Sequence, residues 1–155
     1  MFTKKERSTF PYWFAHWCAF NMTALNCHAW KFKYLFHDFE KPWLRLFMPY
    51  KKVQKWHRRH NKHHIQWADY HDNRYDKLDW EAMMIDWECS RFTKQGCPLN
   101  AAQELRKEFH ETFEKDFVKA MALKCYGTNT LIKLGLDHQK EMNKMILEDL
   151  EKVIK

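Results

Sequence analysis

Turn formers are what this chain has least of. Three glycines and four prolines in 155 residues leave little material for hairpins, and no stretch alternates apolar and polar residues at strand spacing. This argues against a sheet and for an all-α single domain. No apolar run reaches the roughly 20 residues that cross a bilayer. Phe10 to Phe20 comes nearest, but His16 interrupts it and no signal-peptide cleavage pattern follows. There is no 20–50-residue repeat and no low-complexity tract, which excludes a solenoid. A C-x-x-C pair is also missing. The five cysteines (Cys18, Cys27, Cys89, Cys97, Cys125) are odd in number and scattered, and read as reduced packing thiols of a cytoplasmic protein.

What is abundant is apolar and aromatic surface, at 45% and 17% of residues. That is enough for a real core and excludes a disordered chain. The net charge of +7 is uneven: residues 1–75 hold 14 Lys/Arg against 5 Asp/Glu, and residues 76–155 hold 13 against 15. Eight of the ten histidines lie in the basic half. An anionic ligand is drawn there, either nucleic acid or a smaller phosphate ester.

Residues 1–8 read as a loose polar end. Pro11 fits a first helical turn, and a helix is expected from there to about Cys27. Tyr12, Trp13, Phe14, Trp17 and Phe20 make it apolar on more than one face, so it should be central. A short helix follows over Trp30–Phe39, with Pro42 and Pro49 limiting helices beyond it. A third, basic helix spans 51–70. On it His57, His60 and His64 fall at i, i+3 and i+7 and share a face, while His63 points about 100° from His64. A polar loop over 71–77 leads to Asp79, the N-cap of a helix over 80–92, with Glu81 and Glu88 outward and Met83, Met84 and Trp87 inward. Gly96-Cys97-Pro98 is a turn. Asn100 caps an amphipathic helix to about Tyr126 that Gly127 stops. After a break near Gly135, a last helix runs over 137–155. A metal-site core of about 10–92 is thus followed by scaffold helices over about 100–155.

The window from His37 to His64 concentrates five histidines beside Asp38 and several cations. Imidazole and carboxylate suit Zn, Fe, Mn and Ni. In chain order the candidate ligands are His16, His37, Asp38, one of His57 and His60, one of His63 and His64, and Asp86. Asp86 stands mid-helix among Met84, Ile85 and Trp87; buried unpaired, it would cost of order several kcal/mol, so it requires a cation or a donor. A lone histidine such as His16 on an apolar helix is more often a satisfied core residue, and it gains meaning only from the others. His28, His71, His110 and His138 read as surface or packing residues.

This order (a His, an HD pair, two later His positions and a distant Asp) resembles that of the HD-domain superfamily in its two-metal form, over residues 10–90. His37-Asp38-Phe39-Glu40-Lys41-Pro42 resembles the HD-x-x-K element of HD-GYP phosphodiesterases. The Gly-Tyr-Pro turn is absent, and the interval from His57 to His64 is short. The chain is more closely similar to a domain-of-unknown-function family of phage and bacterial proteins, with a histidine upstream of HD-x-x-K, then an Asn-Lys-His-His segment and an Asp-Trp pair. Here these are His16, His37-Asp38-x-x-Lys41, Asn61-Lys62-His63-His64 and Asp86-Trp87. The resemblance implies an HD-like helical bundle holding one or two divalent metal ions (Mn, Fe, Zn, Ni or Mg). It also implies hydrolysis of a nucleotide or similar phosphate ester in a bacterial or phage-infected cytoplasm.

In such a site Asp38 would bridge two cations. His16, His37 and Asp86 would complete one, and histidines of the third helix the other. Water between the cations would be acidified. Lys41, with Arg58, Arg59 or Lys62, would neutralise the phosphoryl oxygens. Two other functions fit the same residues. A di-iron HD oxygenase shares the ligand order. A non-enzymatic protein could grip nucleic acid with Lys51, Lys52, Lys55, Trp56, Arg58, Arg59 and Lys62. The two C-terminal helices would serve as scaffold or as a homo-oligomer surface. No membrane partner is expected.

Overall fold

The structure, a computed structural model, describes residues 1–97 and 101–111, together with Glu148 and Lys152. Thr9 and Pro11 open α1 (Phe10–Asn26): the Thr9 side chain accepts from the Tyr12 N–H, and the proline's missing donor falls in the first turn. The remaining α-helices among these residues are α2 (Glu40–Phe47), α3 (Tyr50–His60), α4 (Ile65–Tyr70), α5 (Trp80–Thr93) and α6 (Ala101–Glu111). Short 3-10 turns lie at Glu6–Ser8, Phe32–Phe36 and Tyr75–Lys77. The domain is an all-α single-domain bundle. Among the described residues, strand-like pairing is confined to one bridge between Phe2 and Lys94.

α1 packs chiefly on α5, and α6 closes over α5. Phe20 and Ala24 of α1 meet Met83, Met84, Ile85 and Cys89 of α5, with Tyr34, Ile65, Ala68 and Leu105 completing the core. Each large apolar side chain buried there stabilises the fold by about 1.5–3 kcal/mol relative to exposure. The aromatics of α1 also fasten the next segment. Trp13 Nε1 donates to the Asp38 carbonyl at 2.8 Å and Trp17 Nε1 to the Leu35 carbonyl at 2.9 Å. Asn21 Nδ2 adds a bond to the Tyr34 carbonyl at 3.3 Å. Asp79 caps α5 as expected, accepting from the Ala82 N–H at 3.2 Å.

Several local expectations are corrected. Trp30–Phe39 is not one helix: the 3-10 turn ends at Phe36, and Asp38 adopts a left-handed φ of 58°. Aspartate tolerates that conformation better than most residues. The bend lets α2 start at Glu40 with Pro42 in its first turn, where the missing N–H is harmless, and it turns His37 and Asp38 inward. The 51–70 helix is two helices. α3 ends at His60, and His64 is extended before α4 begins. Asn61 causes the break: its side-chain amide donates to Glu40 Oε1 at 2.9 Å and to the His57 carbonyl at 3.3 Å, competing with helical continuation.

Residues 1–8 are not loose. The Phe2 N–H donates to the Thr93 carbonyl at 2.8 Å, and Arg7 Nη2 donates to the Gln95 carbonyl at 2.6 Å. Glu88 is buried rather than outward; it accepts from the Ala101 N–H at 2.9 Å, holding the start of α6, and pairs with Arg91. Trp87 is only half-buried against the core. The Asn100 cap, the 100–126 helix beyond Glu111, the Gly127 stop, the break near Gly135 and the 137–155 helix lie outside the described residues. No helix among the described residues is long and apolar enough to cross a membrane.

Candidate metal centre

Side chains distant in the chain converge between α1, α3 and α5. α1 contributes His16, the bend after the 3-10 turn His37 and Asp38, and α3 His57. The Asn61 break contributes His63 and His64, and α5 contributes Asp86. The Asp38 carboxylate stands at the centre. Its Oδ2 lies 3.6 Å from both His16 Nε2 and His37 Nε2, while its Oδ1 lies 3.1 Å from His57 Nε2 and 3.6 Å from His63 Nε2. His16 Nε2 also meets Asp86 Oδ1 at 2.9 Å, with His37 Nε2 at 3.9 Å from the same oxygen. His64 Nε2 faces His57 Nε2 at 2.7 Å. The Phe20 ring stacks on His37 with centroids 3.6 Å apart and fixes the plane of the imidazole.

Two donor sets thus lie on opposite sides of Asp38. In His16–His37–Asp38 and in His57–His63–His64, the ligand atoms of each set lie within 4.8 Å of one another. These buried clusters can hold a metal ion. The chemistry of the atoms supports the fit. His37 Nε2, Asp38 Oδ1, His63 Nε2 and Asp86 Oδ1 are buried and none meets hydrogen-bond geometry, although His16 Nε2 lies 2.9 Å from Asp86 Oδ1 and His57 Nε2 3.1 Å from Asp38 Oδ1. Buried polar atoms ordinarily have a partner, and these four face one another instead. The His57 ring gives the tautomer. With Nδ1 donating to Glu40, its Nε2 would be a lone pair directed at the Asp38 carboxylate and at His64 Nε2. In that tautomer the 3.1 Å pair of His57 Nε2 and Asp38 Oδ1 suits a shared cation.

Electrostatics set the protonation a divalent cation requires. Burial holds His37 well below the usual histidine range, although Asp38 pulls the other way. His64 is also held well below that range by burial, with His63 and His57 adding to it, and His57 is lowered by burial and then by Lys41. Burial alone would raise Asp38 and Asp86. His37, Lys41 and His57 overcome it at Asp38, and Lys94 and His16 at Asp86, so both carboxyls lie well below the usual carboxylate range. Burial works against the charge on Lys41, but Asp38, which its Nζ contacts, holds it above the ordinary lysine range. Three imidazoles are therefore neutral and two carboxylates ionised.

A cavity of about 350 Å³ opens over this cluster, lined by His16, His57, His64 and Asp86, by the cations Arg7, Lys41, Arg58 and Lys94, and on the α6 side by Glu104 and Glu108. Arg7 Nε is buried there without a hydrogen-bond partner. Of the expected ligands, His16, His37, Asp38, His57, His63, His64 and Asp86 meet in one place. His60 does not: it points outward, stacked on Trp56 at 4.2 Å with its Nδ1 on the Trp56 carbonyl. Spacing on an unbroken helix had put His60 with His57 and His64; the break at Asn61 separates it and brings in His63. Lys62 also lies away from the cavity, with its Nζ 5.3 Å over the Trp67 ring, and Arg59 rests on Tyr70. Arg58 lines the cavity.

Two residues were not foreseen. Glu40 grips His57 and Asn61, and the only hint of it in the sequence is a carboxylate inside the HD-x-x-K element. Arg7 reaches the cavity only because Phe2 and Gln95 tie the N-terminal segment to α5, which no local pattern announces. Compared with protein-family models, curated proteins and solved structures, the chain matches none.

Proposed function

We propose that this chain is an HD-type metal-dependent phosphohydrolase acting on a phosphate ester, a nucleotide or a related compound. One observation carries the proposal: buried polar atoms of His37, Asp38, His63 and Asp86 converge, short of hydrogen-bond geometry, beneath a cavity that Arg7, Lys41, Arg58 and Lys94 line. Divalent cations bound there would supply Lewis acidity and water acidified to near-neutral pKa. His16, His37 and Asp86 would hold one cation on the Oδ2 side of Asp38, and His57, His63 and His64 a second on the Oδ1 side. Glu40 would fix the His57 tautomer. Lys41, Arg7 and Arg58 would take up negative charge on the phosphoryl oxygens. The free thiols Cys18, Cys27, Cys89 and Cys97 suit a reducing cytoplasm.

Turnover of p-nitrophenyl phosphate and bis-p-nitrophenyl phosphate by metal-loaded protein tests this. Lys41→Ala should keep its metal and lose about 10²–10³ in kcat, as expected for one charge-stabilising group. Undiminished turnover in that variant would sink the assignment of Lys41, and no turnover in any metal form would sink the hydrolase. The same His and Asp donors accept iron, so a di-iron oxygenase is the second reading. Iron in aerobically purified protein, with its absorption bands and no phosphatase activity, would favour it. The exposed basic face of α3 at Lys51, Lys52, Lys55 and Arg58 supports a third, nucleic-acid binding. Salt-dependent DNA or RNA binding that survives chelation would favour that one.

A further inference from the structure

A second cavity, about 220 Å³ in volume, adjoins the polar one. Arg7, Tyr12, His16, Lys41 and Tyr50 line both, so the two share a wall that holds His16 of the candidate metal centre and the cations Arg7 and Lys41. The character of the second cavity is different. Phe10, Tyr12, Trp13, Pro42, Leu46 and Tyr50 line it, and so does the nearly fully buried Asp38. Its aromatic wall is built on the site itself: the Trp13 indole is tied to the Asp38 carbonyl at 2.8 Å, Phe10 packs on Trp13 at 5.2 Å, and Tyr12 stacks on His16 at 5.8 Å. A cavity of about 150 Å³ holds benzene, so this one has room for a single ring.

Several polar groups at the outer part of this wall are bonded within their own segments, while the cations Arg7 and Lys41 lie on the wall shared with the polar cavity. Ser8 Oγ donates to the Lys5 carbonyl at 3.1 Å, Thr9 Oγ1 to the Glu6 carbonyl at 2.7 Å, and Arg45 Nη1 reaches the Met48 carbonyl at 3.5 Å. A nucleobase would press several donors and acceptors against the Phe10, Trp13, Pro42 and Leu46 side chains, which offer them few partners. An unsubstituted ring or short alkyl group would lose nothing. We propose that the substrate is a phosphate ester whose alcohol or phenol portion is apolar and about one ring in size. The phosphoryl head sits over Asp38 beside Lys41, and the apolar portion lies in the Phe10–Trp13–Leu46 cavity. This rests on the phosphohydrolase reading and narrows its substrate class.

Isothermal titration of the zinc-loaded full chain with benzylphosphonate and with methylphosphonate separates the two. Burying one ring is worth about 1.5–3 kcal/mol, so benzylphosphonate should bind about 10- to 100-fold tighter. Leu46 is 72% exposed at the mouth of the cavity, so Leu46→Glu leaves the fold intact; it should pull that ratio toward unity. Equal affinity for the two phosphonates overturns the apolar subsite and leaves the phosphoryl site standing. Adenosine monophosphate binding tighter than benzylphosphonate also overturns it, in favour of a nucleotide. If neither phosphonate binds the zinc-loaded protein, the phosphohydrolase reading falls and takes this one with it.

Discussion

Asp38→Asn removes one charge, and with it the ion pair to Lys41, while keeping the shape of the side chain. Asparagine keeps the volume and accepts the left-handed φ of 58° that alanine would resist. The bend and the Trp13 bond to the Asp38 carbonyl should therefore survive. What is lost is the carboxylate whose two oxygens face four imidazole nitrogens at 3.1–3.6 Å. Groups that only orient a ligand are worth about 10–100-fold in metal affinity, so a ligand shared by both donor sets should cost at least about 100-fold, or about 2.8 kcal/mol. Metal binding stabilises the fold by mass action. At a metal concentration that saturates both proteins, the variant should gain about 2.7 kcal/mol less than wild type. For a chain of this size, that is a metal-induced rise in Tm smaller by about 5–10 °C. Thermal melts with and without metal, paired with elemental analysis after desalting, read both quantities. Equal metal content and an equal Tm increment in Asp38→Asn would refute the placement of the cation at Asp38.

Other outcomes follow from the same geometry. His60→Ala should retain wild-type metal content, whereas His57→Ala should lose at least about tenfold in affinity; equal loss in both, measured by competition with a chromogenic chelator, would restore the unbroken-helix arrangement. Glu40→Gln should weaken metal binding about 10–100-fold through His57 alone, and no change would remove Glu40 from the site. In the metal-free protein, His37, His57 and His64 are held below the ordinary histidine value of 6.5, so the unfolded chain takes up protons that the fold refuses. Unfolding free energy should then fall as pH drops below about 6.5, by roughly 1–3 kcal/mol per pH unit, and these groups add no slope above it. Asp38 and Asp86 add a loss of the same sign at lower pH, below about 4. Urea midpoints of chelator-treated protein at pH 7.5 and 5.5 check this, and an equal or higher midpoint at 5.5 would contradict it.

Much of the site was legible in the sequence because it follows helix chemistry. Asp86 betrayed itself as a carboxylate with no reason to stand among Met84, Ile85 and Trp87, and His16 meets it at 2.9 Å. His37-Asp38 stood out as a pair, though the helix drawn around it was wrong. The left-handed turn at Asp38 is held by the indoles of α1, and a tertiary bond has no local signature. His60 against His63 was beyond periodicity for the same reason: whether α3 continues past residue 60 depends on Asn61 finding Glu40, twenty-one positions earlier. Arg7 needed the N-terminal segment to pair with the end of α5. Spacing within one helix could be read directly, but contacts between segments could be read only where a buried charge demanded them.

The central claim is that one cation or two occupy the space around Asp38. Anomalous diffraction from crystals grown without chelator, collected across the first-row metal edges, measures it directly. A peak is expected about 2.0–2.3 Å from an Asp38 oxygen and from Nε2 of at least two of His16, His37, His57, His63 and His64. A metal-free cluster whose imidazoles and carboxylates are joined only by protons or water would contradict it.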